Sequence, residues 1–165
     1  MKLQVKRLHP EAILPTRAYP TDSGYDLYSL FEEGEEFTIL PQETLLVPTG
    51  IAVKLPKPFS RVNEDGTIDT LAKEAQVRGK SGLAVKQVLG LGNGIGTCDN
   101  SYIGQVKVIL LNQGNKPQVI KNKQKVAQLV INEVVLPDGI EEIDILEETD
   151  RSTNGFGSTT LFNVK

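Results

Sequence analysis

The chain has 165 residues, enough for one domain with a substantial core. Hydrophobic residues make up 39% and charged residues 24%, as in soluble globular proteins. A net charge of −3 argues against a general nucleic-acid binder, which carries a basic excess. The single cysteine, Cys98, excludes an intrachain disulfide framework and fits a reducing compartment. The single histidine, His9, leaves no material for a His-based triad or a multi-histidine metal site. No apolar run approaches the roughly 18 residues of a membrane span, and MKLQVKRLHPEA lacks the apolar centre of a signal peptide. A cytoplasmic protein with no membrane partner and no nucleic-acid partner is expected.

In chain order, short apolar or alternating runs follow one another between turn signals. They are KLQVKRL, EFTIL, TLLVPTGIAVKLP, GQVKVILLNQ and PQVIKNKQKVAQLVINEVVL. Rich in Val, Ile, Leu and Thr, and punctuated by 9 Pro and 15 Gly, they predict strands. No window shows a sustained 3.6-residue apolar stripe. Many short strands with few helices predict a sandwich, barrel or jelly roll. TLAKEAQ (70–76) is the one stretch that predicts about two helical turns. The polar run RVNEDGTIDTLAKE (61–74) is expected to be a long loop inserted between strands. A flexible polar tail is expected from 147 to 165, after a β domain over 1–146.

Familiar phosphate and nucleotide motifs fail on inspection. RGKSG (78–82) lacks the earlier glycine of a P-loop, since position 74 is Glu. GLGNGIG (90–96) has alternating glycines without the dinucleotide-binding spacing. The chain therefore offers phosphate binders and carboxylates. A carboxylate can act as general base on water, and Mg²⁺ on a phosphate can withdraw charge. Together they suit hydrolysis of a phosphoanhydride.

Five segments carry a resemblance. TDSGYDLYS (21–29), VRGKSGLA (77–84), GNGIGTCDNSYIGQV (92–106), NKQKVAQL (122–129) and RSTNGFGSTT (151–160) resemble, in order, the five motifs of the homotrimeric dUTPases. The resemblance implies an all-β, distorted jelly-roll or barrel-like fold with at most one short helix and a mobile C-terminal arm. It implies Mg²⁺-dependent hydrolysis of dUTP to dUMP and pyrophosphate, with one subunit's arm covering a site built by its neighbours.

The resemblance also assigns roles. Asp99 matches the aspartate that activates water for in-line attack on the α-phosphorus, and Gln128 matches an amide that places phosphate or that water. Tyr102 matches the ring against the deoxyribose, which leaves no room for a 2′-hydroxyl. Backbone around Gly96, Thr97, Cys98 and Lys107, with the Asn93 amide, matches the uracil-reading groups. Arg78, Lys80, Ser81 and Gly82 match the phosphate grip. Asp26 matches the carboxylate that reaches Mg²⁺ through water, with Asp22 as the nearby alternative. On the tail, Arg151, Gly157, Ser158 and Thr159 match phosphate contacts, and Phe156 matches the ring that stacks on uracil.

There are departures. Lys80 stands where the family has arginine and loses the bidentate fork; Arg78 could compensate if the run is extended, because residues i and i+2 of a strand share a face. Gln124 and Lys125 replace an acidic-arginine pair and are expected to be structural. Ser152 and Thr160 replace glycines of the arm. Two other readings compete: a dCTP deaminase or bifunctional deaminase-dUTPase, and a phage-type dUTPase with a protein partner bound through 61–74.

Overall fold

The computed structural model describes residues 2–153. The strands are β1 (Gln4–Arg7), β2 (Gly24–Tyr28), β3 (Glu36–Ile39), β4 (Thr44–Pro48), β5 (Ile51–Lys54), β6 (Phe59–Val62), β7 (Ile68–Arg78), β8 (Leu89–Leu91), β9 (Gly96–Cys98), β10 (Lys107–Asn112), β11 (Gln118–Lys121) and β12 (Lys125–Leu136). The helix α1 (Ser81–Gln87) sits between β7 and β8. All pairings are antiparallel: β1 with β5, β11 with β3, and β4–β10–β8 as a three-stranded sheet. The largest sheet runs β2–β12–β7. The free edge of β7 is shared, with β6 on Ile68–Leu71 and β9 on Ala75–Val77. No sheet closes into a barrel among the described residues, so the expected jelly-roll-like arrangement holds in its open form.

The alternating runs explain the core. In β10, Val108, Leu110 and Asn112 point inward while the residues between them do not. With Leu27, Ile39, Val47, Ile51, Ile120, Val126 and Leu129 they form one apolar interior. Buried Asn112 is satisfied: its amide donates to the Ile39 and Lys116 carbonyls at 2.9 and 2.8 Å, and its oxygen accepts from Gly114 N at 3.0 Å.

Two expectations are corrected. Residues 61–74 form most of a β-hairpin rather than a loop. Arg61 and Val62 pair with Asp69 and Ile68, and an Asp-Gly turn closes the end with Gly66 at φ 84°. The charges that made this run look solvated face one another across three strands. Arg61 and Lys73 both reach Glu133, at 3.3 and 2.5 Å, and Arg61 lies 3.6 Å from Asp69. Likewise, 70–76 is strand rather than helix. Leu71, Ala75 and Val77 share one face of β7 and are buried, Ala72 is buried on the other, and the ladder with β12 overrides local helix preference. The helix lies further on, over Ser81–Gln87, and buries none of its residues.

The last strand ends at Leu136, and residues 137–153 are exposed, without strand or helix. No helix among the described residues is long and apolar enough to cross a membrane.

Candidate active site

The register of the large sheet places three of the expected residues in one row. Asp26 of β2 lies opposite Gln128 of β12, and Gln128 lies opposite Arg78 of β7. Residues directly opposite across strands share a face. Asp26 and Gln128 line a polar cavity of about 270 Å³ with Ala18, Asp22, Ser23, Gly24 and Lys80. Gly24 leaves room for the Gln128 side chain, since a Cβ there would come within 2.3 Å of its Oε1 and force it to shift. The Gln128 amide donates from Nε2 to the Gly79 carbonyl at 3.0 Å.

Asp26 is 9% exposed. Burial pushes its carboxyl up, but hydrogen bonds and charge from Lys125 and Lys80 outweigh that and hold it below the ordinary aspartate range. Lys80 Nζ donates to Oδ1, and Lys125 Nζ lies 2.7 Å from Oδ2. Lys80 leaves the strand and caps the start of α1 with extended backbone, φ −100° and ψ 126°. Ser81 and Gly82 open that helix. Arg78 does not line the cavity. Its guanidinium turns along its own strand to Gln76 Oε1, at 3.0 Å from Nε and 2.6 Å from Nη2. The i, i+2 relation therefore links Arg78 to Gln76 and not to Lys80, which has left the strand.

A second cavity, of about 260 Å³, gathers Asn93, Gly96, Thr97, Cys98, Tyr102 and Lys107, together with Leu46, Val77, Gln105, Val106 and Ile109. No ladder joins β9 to β10 among the described residues. The β10–β8 ladder stops at Leu110–Leu91, and one further bond runs from Gly92 N to Ile109 O at 2.9 Å. β9 and β10 thus leave an open slot between them, with β9 paired to β7 instead. A turn follows β9, closed by Tyr102 N donating to Asp99 O at 3.0 Å. Asn100 pins it, donating from Nδ2 to the Pro56 and Lys73 carbonyls at 2.8 and 2.9 Å. Tyr102, 46% exposed, donates from its hydroxyl to Gln105 O at 2.9 Å, and Gly104 beneath it leaves no room for a Cβ. Asp99 is exposed at the mouth of the turn. Cys98 is partly buried; burial, then the Asp99 charge, raises its thiol pKa.

The two cavities share no lining residue. Arg151 lies in the exposed terminal stretch, and Phe156, Gly157, Ser158 and Thr159 lie outside the described residues. Among the described residues no group of three His, Cys, Asp or Glu could hold a metal. Mg²⁺ keeps waters and takes direct ligands from phosphates, so one carboxylate beside a polar cavity fits it as an outer partner. Sequence reasoning missed Lys125, taken as structural, and the contribution of Gln105. Only the register places Lys125 near Asp26.

The molecule is an open, mostly β protein with one cavity beside the slot between β9 and β10 and another that gathers Asp22, Asp26 and Lys80. A dUTPase family model matches residues 10–160. Among similar proteins, the deoxyuridine 5'-triphosphate nucleotidohydrolase of Heliobacterium modesticaldum is 40% identical, covering 96% of each chain. That of Clostridium kluyveri is 42% identical, covering 96% of this chain and 98% of its own. The dUTPase of Staphylococcus bacteriophage 80alpha, in a mutant bound to dUpNHpp, shares the fold with a TM-score of 0.76 at 24% identity, over 96% and 98% of the two chains. The dUTPase of phage phi11 of S. aureus does so at 0.71 and 22%, over 90% of this chain and all of that one. The chain belongs to the dUTPase family, the dUTP diphosphatases.

Proposed function

We propose that this protein hydrolyses dUTP to dUMP and pyrophosphate, with Mg²⁺, as a homotrimer. The observation that carries the reading is the sorting of motif residues into two cavities. Among the described residues, Asn93, Gly96, Thr97, Cys98, Tyr102 and Lys107, expected to meet base and sugar, surround one, and Asp26, Lys80 and Gln128 surround the other. Because the cavities share no residue, a complete site assembles when the nucleoside slot of one copy faces the charged cavity of its neighbour.

In this reading uracil enters the slot between β9 and β10 and bonds their free backbone edges and the Asn93 amide. Cytosine would present a donor where an acceptor is needed, leaving groups unpaired at a cost of about 1–3 kcal/mol each. The Tyr102 ring, fixed by its bond to Gln105 O, excludes a 2′-hydroxyl. Asp99 takes a proton from a water, whose oxygen bonds the α-phosphorus as the bond to the bridging oxygen of pyrophosphate breaks. Gln128 orients phosphate or that water, and Lys80, Ser81 and Gly82 neutralise and hold phosphate oxygens. Mg²⁺, when bound, withdraws charge from the phosphates; Asp26 would hold it through water. The tail, from Arg151 through Phe156, Gly157, Ser158 and Thr159, closes over the nucleotide and expels water. A single cysteine in a reducing compartment fits a cytoplasmic setting.

The test is pyrophosphate release from dUTP, with dCTP, dTTP and UTP alongside, with Mg²⁺ and with EDTA. Release from dUTP alone, abolished by EDTA and by Asp99→Asn, is expected. Ammonia from dCTP, or silence on all four nucleotides, refutes it. Sedimentation should give a trimer.

A further inference from the structure

The Asp26 carboxylate has two lysines, and they approach it from different places. Lys80 lines the charged cavity, whereas Lys125 does not. Lys125 gets there through a bulge: it pairs with Tyr28 and Ala127 pairs with Leu27, so Val126 is the extra residue of β12. Its Nζ lies 5.9 Å from the centre of the Tyr28 ring. That ring is itself tied down, with its hydroxyl 2.6 Å from Thr16 Oγ1, and Thr16 bridges to Asp26 through Asp26 N and Thr16 O at 2.7 Å. Lys125 therefore reaches Asp26 Oδ2 over a fixed ring from outside the cavity, while Lys80 holds Oδ1 from inside it.

We propose that Lys125 is a positioning residue that stays on Asp26 and so frees Lys80 for the phosphates of the substrate. This rests on the reading of the charged cavity as the phosphate site. An ammonium paired to a buried carboxylate leaves it for an incoming anion only if the carboxylate keeps another partner. Otherwise the gain at the phosphate is offset by an unpaired buried charge. With Oδ2 held by Lys125, Asp26 stays ionised and compensated when Oδ1 is released. Lys125 thus acts on phosphate affinity through Asp26, without touching phosphate.

The experiment is calorimetric binding of dUpNHpp to the full chain in EDTA, where only the protein's own groups can neutralise the phosphates. Lys125→Met should weaken binding about tenfold, and Lys125→Arg should stay within about twofold of the parent, since charge and reach persist. In an Asp26→Asn background, where Lys80 is already free, Lys125→Met should change affinity by less than about twofold. Thermal melts of each variant confirm that it folds. Equal loss in both backgrounds would mean that Lys125 meets phosphate directly, and no loss in either would make it a surface ion pair. Either result overturns the inference. If the parent chain itself fails to bind dUpNHpp, the reading of the cavity falls and the inference with it.

Discussion

Asn100 gives a test of how the turn carrying Asp99 is held. Its side chain lines neither of the two cavities, yet its amide nitrogen donates to the Pro56 and Lys73 carbonyls at 2.8 and 2.9 Å. Asn100→Ala deletes both bonds. The bond to Pro56 is exposed and belongs at the lower end of the net range, about 0.5 kcal/mol. The bond to Lys73 is partly buried and belongs nearer 1–1.5 kcal/mol. The turn therefore loses about 1.5–2 kcal/mol of restraint. At about 1.36 kcal/mol per tenfold, this caps the loss of turnover at roughly tenfold to thirtyfold if the whole cost falls on the placement of Asp99. The assay is steady-state pyrophosphate release from dUTP beside a thermal melt and Asp99→Asn. The expected pattern is a fall in kcat within that range, smaller than for Asp99→Asn, with KM little changed. Parental kcat with a lowered Tm would refute the reasoning, because the bonds would then stabilise the fold without orienting the carboxylate.

Other outcomes follow from the same geometry. Gly24→Ala drives a Cβ into Gln128 Oε1 and should displace the amide from Gly79 O, lowering kcat about fivefold to tenfold with a small change in Tm; unchanged kcat would exclude a role for that amide. Val88 ends α1 in the left-handed region at φ 52°, where its branched side chain is strained. Val88→Asn should recover about 1 kcal/mol and raise Tm by a few degrees, read by calorimetry. The Glu133 carboxyl is held below its ordinary range, first by the Lys73 hydrogen bond, which together with the Lys73 and Arg61 charges overcomes the opposing effect of burial. Its unfolded form binds the proton more readily, so the contribution to stability is present above the ordinary glutamate pKa and is lost as pH falls through the depressed value. Glu133→Gln should flatten that acid limb slightly in urea melts across pH, as befits an exposed cluster; a larger gap at neutral pH than in acid is the expected sign.

Much of the architecture could be read from alternation. The runs at 44–56, 104–113 and 117–136 became β4, β5, β10, β11 and β12; β10 alternates strictly, whereas β5 and β12 bury apolar residues on both faces. The hairpin at 59–74 was missed for a physical reason. Arg61, Asp69, Lys73 and Glu133 look solvated in isolation, and only pairing shows that they satisfy one another. The helix was misplaced because Ser81–Gln87 has no fully buried residue and packs only Leu83 partly against the core, too little to make a stripe. At the site, residue types within each motif were legible, but cross-strand relations were not. Lys125 meets Asp26 through a bulge, which no spacing rule encodes.

The open edge between β9 and β10 has a consequence for how such a protein can change. The edge of β9 that does not pair with β7 presents the same N–H and C=O whatever side chains Thr97 and Cys98 carry. Substitution at Thr97 or Cys98 leaves the hydrogen-bonding groups of that edge in place. Proline, which deletes a donor, or a one-residue slip of β9 against β7 would abolish it at a stroke. Selectivity of this kind is robust to most point changes and brittle to a few, and it is inherited with the path of the chain.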